Sequence, residues 1–115
     1  MIAKHLSEPW FSLVSTGNKV YEGRLGINVE FKNAEIGSKI VWYNDDLGFR
    51  REVSTKITSK SRFKSFETML RSKGISKCLP TVKTVEQGEI VYRKYYTDEK
   101  VVSSGVLCIG LEIVP

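Results

Sequence analysis

"GNKVYEGRL", Gly17–Leu25, decides how the chain is read, because it sets a lysine, a glutamate and an arginine within six residues of a strand that starts just after a helix. Upstream, Ser7 can cap that helix with Glu8 and Pro9 in its first turn. Trp10, Phe11, Leu13 and Val14 recur at helical spacing, and "STGN" supplies a glycine where the helix must stop. In an ideal strand Glu22 and Arg24 share one face, and Lys19, Tyr21 and Gly23 the other. Lys19 joins the pair only if the backbone turns or bulges between Gly17 and Tyr21. If the three converge in a cleft, Arg24 offers a planar fork suited to a phosphate or a base edge, and Lys19 a movable charge. Glu22 can then orient either cation, accept a hydrogen bond from a base amino group, or act as a general base. The spacing alone equally fits a surface ion pair worth 0 to about 1 kcal/mol.

Outward from this stretch the chain reads as mixed but mainly β. "AKHL" is a first strand, "GINVEFKNAEIGSK" holds a turn or one helical turn, and "KIVWYN" is a strand ended by the turn "DDLG". The returning strand places Phe49, Val53, Ile57 and Phe63 on one parity and Arg50, Lys56, Lys60 and Arg62 on the other. A period of two therefore predicts four cations on one outer face. Phe63, Phe66, Met69 and Leu70 fit a helix ending at Lys73 and Gly74, and a second helix is possible from Val82 to about Tyr95. Gly88 weakens that helix by roughly 1 kcal/mol relative to alanine. In "GVLCIGLEIV", Leu107, Ile109, Leu111 and Ile113 can face a core. The expectation is one α+β domain over residues 1–115, with five or six strands in a small curved sheet or barrel and two or three short helices. A doubly wound fold is excluded, because no regular helix separates the strands and no glycine-rich phosphate loop follows one.

Composition narrows the classes of function. With 41% hydrophobic and 27% charged residues, the chain is a folded protein rather than a disordered tail. No apolar run approaches the roughly 20 residues that span a bilayer, and "MIAKHLSEPW" lacks the apolar region of a signal peptide. An intracellular, cytoplasmic protein without a membrane partner is expected. Cys78 and Cys108 are the only cysteines and His5 the only histidine, so neither a structural zinc site nor any other metal or cofactor is expected. The net charge is +5, and it is concentrated. Between Arg50 and Lys77 nine basic residues face only Glu52 and Glu67, a balance of +7 that leaves −2 for the rest. Such a segment is the footprint of a polyanion partner, or simply a solvated face.

Three features together resemble the ASCH domain, a compact β-barrel of the PUA-like superfamily. They are the helix ending in glycine before Lys19, Glu22 and Arg24, the "IGSKI" turn into the next strand, and the late "YYTDE" followed by "GVLCIGL". The resemblance spans nearly the whole chain and implies RNA or nucleotide binding in a cleft beside the barrel. Lys19, Glu22 and Arg24 would line that cleft with Tyr96 and Thr97 nearby, and Arg50, Lys56, Lys60 and Arg62 would hold phosphates. Trp10, Trp42, Tyr43, Tyr95 and Tyr96 could supply stacking platforms. An enzymatic alternative also follows from the resemblance, a hydrolase acting on RNA or a modified nucleoside. Its machinery would be Lys19, Glu22 and Thr97, with Tyr96 beside them. The chain departs from the acetylcytidine amidohydrolase of this fold, which places a threonine nucleophile three residues after its lysine, where Glu22 stands here.

Overall fold

The computed structural model describes residues 1–115. Its sheet is built on β4 (Arg51–Phe63), a 13-residue strand long enough to pair with β3 (Lys39–Asn44) along its first half and with β5 (Val106–Ile113) along its second. β1 (Ile2–His5) adds in parallel to β3, and β2 (Tyr21–Leu25) adds antiparallel to β5. The order β1-β3-β4-β5-β2 leaves the first two strands of the chain as the two edges of a curled half-barrel. No helix is long and apolar enough to cross a membrane.

Each face of the sheet buries its own core. Inside the curl, Ile40, Trp42, Ile57, Leu107, Ile109 and Leu111 pack on Phe11 and Val14 of α1 (Trp10–Ser15) and on Phe31 of α2 (Val29–Asn33). On the other face, Val106 and Cys108 meet α3 (Phe66–Lys73), α4 (Ile75–Cys78) and α5 (Val85–Arg93) through Phe66, Met69, Leu70, Cys78 and Tyr92. β5 is therefore buried residue by residue from Val106 to Leu111. Ile113 lies past that covered stretch and is 41% exposed, contrary to the core position read from its parity.

The α+β half-barrel has the lower of the two expected strand counts, and its helices are short and number six. The additional ones are brief. α4 occupies "ISKC", and α6 (Asp98–Ser104) begins where Thr97 accepts the Lys100 N–H and Asp98 and Glu99 face the helix N-terminus. At α1 the expected Ser7 cap is replaced by Glu8, whose carboxylate accepts the Ser12 N–H at 2.9 Å and the Ser12 hydroxyl at 2.6 Å.

The expected single face of four cations is broken by a bulge in β4. Lys56 pairs with Glu112 and Ile57 with Leu111, but the register shifts before Ser59 pairs with Gly110. The extra residue reverses the parity. Lys60 and Arg62 consequently stand opposite Ile109 and Leu107, on the face of Ile57, while Lys56 stands on the other. Phe49 lies before the strand in the turn and is 58% exposed.

At the exit of β2, Gly26 donates its N–H to the Gly105 carbonyl at 2.9 Å, drawing two backbones together. A Cβ there would collide with the Ser104 carbonyl oxygen, which is backbone and cannot swing away, and would lie 2.8 Å from Arg62 Nη1. Gly26→Ala is expected to cost about 1–3 kcal/mol in chemical denaturation. Gly37→Ala, where nothing lies within 4 Å of the added carbon but φ is +94°, measures the cost of a left-handed backbone alone, a strain that Gly26 does not carry.

Candidate functional site

A cleft of about 240 Å³ opens between the two edges of the sheet. Its walls come from His5, Leu6 and Ser7 at the end of β1, Trp10 of α1, Leu79 after α4, and Val91, Tyr92, Tyr95 and Tyr96 at the end of α5. Its floor is β2, with Glu22, Gly23 and Arg24, and Lys19 just before it. The conditional turn before β2 is present. Gly17 adopts φ +80°, and the N–H groups of Asn18 and Lys19 both donate to the Leu13 carbonyl, at 3.0 and 2.9 Å. That turn carries the Lys19 side chain to the pair formed by Glu22 and Arg24, which stand side by side opposite Ile109 and Leu107.

The three charges form a buried chain. Lys19 Nζ donates to the Tyr21 carbonyl at 2.7 Å and to the Cys78 carbonyl, and lies 3.4 Å from Glu22 Oε1. Two carbonyls and one carboxylate thus surround the ammonium. Glu22 Oε2 accepts from Arg24 Nη2 at 3.0 Å. The Lys19 and Glu22 side chains are only 1% and 8% exposed, which rules out the surface ion pair. The Arg24 guanidinium also lies 5.5 and 5.7 Å from the ring centres of Phe31 and Trp42. Two buried polar atoms have no hydrogen-bond partner here, Arg24 Nε and the Tyr92 hydroxyl.

Burial opposes the charge on Glu22, but Lys19 and then Arg24 outweigh it and hold the carboxyl below its ordinary value of 4.5. Burial likewise works against Arg24, and Glu22 and Tyr96 more than offset it, so its pKa is raised. Tyr92 and Tyr96 are both raised, chiefly by burial, with the Glu22 charge adding to it in each. At neutral pH the cleft floor is therefore a carboxylate between two cations, with the Tyr92 and Tyr96 phenols protonated beside it. Burial pushes the Cys78 and Cys108 thiols up to about 11 and about 12, so both are unreactive packing groups.

The Glu22 shift has a signed consequence. A carboxyl whose folded pKa lies below its unfolded value stabilises the fold above that unfolded value and loses the contribution as pH falls through the lower folded one. Melting curves from pH 7 to pH 3 should show wild type losing stability below about pH 4.5 more steeply than Glu22→Gln. Glu8, also lowered by its bonds to Ser12, is present in both proteins and cancels in the comparison.

The other candidate residues lie elsewhere. Arg50 stacks 3.9 Å from the centre of the Tyr43 ring and lies 3.4 Å from Glu52. Lys56 is 3.7 Å from Glu112. Lys60 donates to the Lys32 and Ala34 carbonyls at 2.9 and 2.5 Å, closing the C-terminal end of α2. Arg62 reaches toward Gly26. None of these four lines the cleft. Tyr96 does, whereas the Thr97 hydroxyl caps α6 outside it. Among the stacking candidates Trp10, Tyr95 and Tyr96 line the cleft, and Trp42 is fully buried with its Nε1 donating to Thr55. Tyr92 was not among the expected site residues, because its spacing from Val85 reads as helix packing. Three groups able to hold a divalent cation, His5, Asp45 and Asp46, meet at the surface with their ligand atoms within 4.8 Å. Their 40-residue separation hid that meeting from the sequence.

A curled five-stranded half-barrel whose edge strands flank a charged, aromatic-walled cleft has the ASCH-type fold, a small PUA-like barrel with short helices. The crystal structure of hypothetical protein PH0355 superposes with a TM-score of 0.84 at 30% identity, covering 97% of each chain, and this chain belongs to the family of that protein. The solution structure of protein PF0455 from Pyrococcus furiosus has a TM-score of 0.73 at 27% identity, over 98% of this chain and 96% of that one. A mutant of the Zymomonas mobilis ASCH protein has a TM-score of 0.67 over 96% of this chain and 66% of its own, and at 14% identity the likeness is one of fold. No protein-family model matches the chain, and no curated protein does.

Proposed function

We propose that the chain is an RNA-binding module whose cleft takes one unstacked base, or a nucleotide, from single-stranded or locally opened RNA. The observation that carries this reading is the cleft floor, a buried carboxylate held between two cations, with Arg24 Nε and the Tyr92 hydroxyl left unpaired beside it. Buried polar atoms without partners are costly, and a ligand edge that completes them gains correspondingly. At about 240 Å³ the cleft lies just below the roughly 300–1,000 Å³ of drug-sized pockets, a size for one base and not a duplex. Sequence-specific RNA recognition works on such splayed-out bases, and Tyr95, 58% exposed at the cleft, offers a stacking face worth about 1–3 kcal/mol. The ASCH-type fold supports the same reading. The strand cations outside the cleft add long-range attraction for phosphate.

A module is favoured over a hydrolase by the state of the groups a hydrolase would use. The Lys19 ammonium is held by two backbone carbonyls and an ion pair with Glu22, and the Thr97 hydroxyl is occupied at the α6 terminus. Neither is poised to shuttle a proton or attack. The test is binding of a fluorescent single-stranded RNA across a salt series, with the incubated RNA then run on a gel. The expected result is log K falling with log salt by about 0.7 per neutralised phosphate, with RNA intact. Absence of binding at low salt would overturn the reading, and shortened RNA would replace it with a hydrolase.

A further inference from the structure

We propose that the base selected by this cleft is guanine, held through its N1–H and exocyclic amino group by the two carboxylate oxygens of Glu22. The proposal rests on the reading of the cleft as a nucleotide site and names what that site prefers. A carboxylate has about four acceptor directions. Lys19 approaches Oε1 at 3.4 Å and Arg24 Nη2 meets Oε2 at 3.0 Å, so each oxygen keeps acceptor capacity. The cations draw on both oxygens, and the side chain lines the cleft while only 8% exposed, so its remaining acceptor capacity is open only to a group that enters the cleft.

The chemistry of base edges then decides. Guanine alone among the four common bases presents two adjacent N–H donors on its pairing edge, matching the two oxygens of a carboxylate. Adenine and cytosine each present one amino donor beside a ring nitrogen lone pair, which would face the second oxygen. Uracil presents one N–H flanked by two carbonyls, and both would face negative charge. The third group on the guanine edge, the O6 acceptor, needs a donor, and Arg24 and Tyr92, which both line the cleft, carry donors without partners, Arg24 Nε and the Tyr92 hydroxyl, that are buried and would have to turn toward the base. A guanidinium has the same pair of parallel N–H groups, but its charge would be repelled by Lys19 and Arg24. Lys19 is a positioning residue in this arrangement. It fixes the Glu22 carboxylate and ties β2 to the Cys78 carbonyl of α4.

Calorimetric titration of the wild-type chain with GMP, AMP, CMP, UMP and IMP tests this without relying on a variant that could misfold. GMP is expected to bind at least tenfold tighter than AMP, CMP or UMP, and at least tenfold tighter than IMP, which differs only by the missing amino group. Two single-stranded octanucleotides, one with a central guanosine and one without, locate the source. A preference for the first assigns the site to guanine within RNA, and a preference seen only with mononucleotides assigns it to free guanine nucleotide. Glu22→Gln, verified as folded by its melting curve, is expected to lose the GMP preference. Equal affinities for GMP and IMP, or a tighter fit for another base, would overturn the proposal. If RNA binds with no base preference, the guanine assignment falls and the RNA-binding reading survives. If neither RNA nor mononucleotide binds, both fall.

Discussion

Lys19→Met should lower stability by about 3–5 kcal/mol, the usual cost of removing one partner from a buried ion pair. The loss has two sources. Glu22, 8% exposed, is left facing only Arg24, and the Tyr21 and Cys78 carbonyls lose the donor that holds β2 against α4. For a domain of 115 residues the expected fall in melting temperature exceeds about 10 °C. Lys56→Met is the comparison, since Lys56 is half exposed and 3.7 Å from an exposed Glu112, and its loss should stay within about 0.5 kcal/mol. Similar melting of the two variants would show that the buried charge chain does not organise the floor.

The second large effect is on binding. Arg24→Ala should weaken RNA binding by about 1–3 kcal/mol, a factor of roughly 5 to 150, because it removes the fork that faces the ligand and leaves Glu22 paired only with Lys19. Arg24→Lys should fall nearly as far. A lysine keeps the charge but has no planar fork to bond Glu22 while lying over Phe31 and Trp42. Lys56→Ala removes one outer charge and is expected to lower affinity less than threefold at physiological salt. Equal small losses at all three would mean charge-driven binding without a site.

What could be read from the sequence follows from the range of the interactions involved. Helix α1, its glycine stop and the strands β3 and β5 depend on neighbours a few residues apart, and they stand where the pattern puts them, except for Ile113 past the covered end of β5. The convergence of Lys19 with Glu22 and Arg24 was legible as a condition on the backbone between Gly17 and Tyr21. Burial of the three was not, since it depends on α4 and α5 closing over β2 from some 60 residues away. The cation stripe on β4 misled for a local reason. One extra residue between Ile57 and Ser59 reverses the face, and nothing in "KITSKSR" marks a bulge by composition. Tyr92 illustrates the opposite limit. Its packing against Phe66, ring centres 3.9 Å apart, is core-like as its spacing predicts, yet its hydroxyl is unpaired at the cleft.

Amide chemical-shift mapping by NMR, with a short single-stranded RNA titrated into the isotope-labelled chain, tests the central claim most directly, because it locates the bound RNA. The largest shifts are expected from Lys19 to Arg24, just before and along β2, and from Val91 to Tyr96 at and just past the end of α5, with small, salt-sensitive changes on β4. Shifts confined to Arg50 through Lys56, with the cleft silent, would contradict the account and place RNA on the outer face of the sheet.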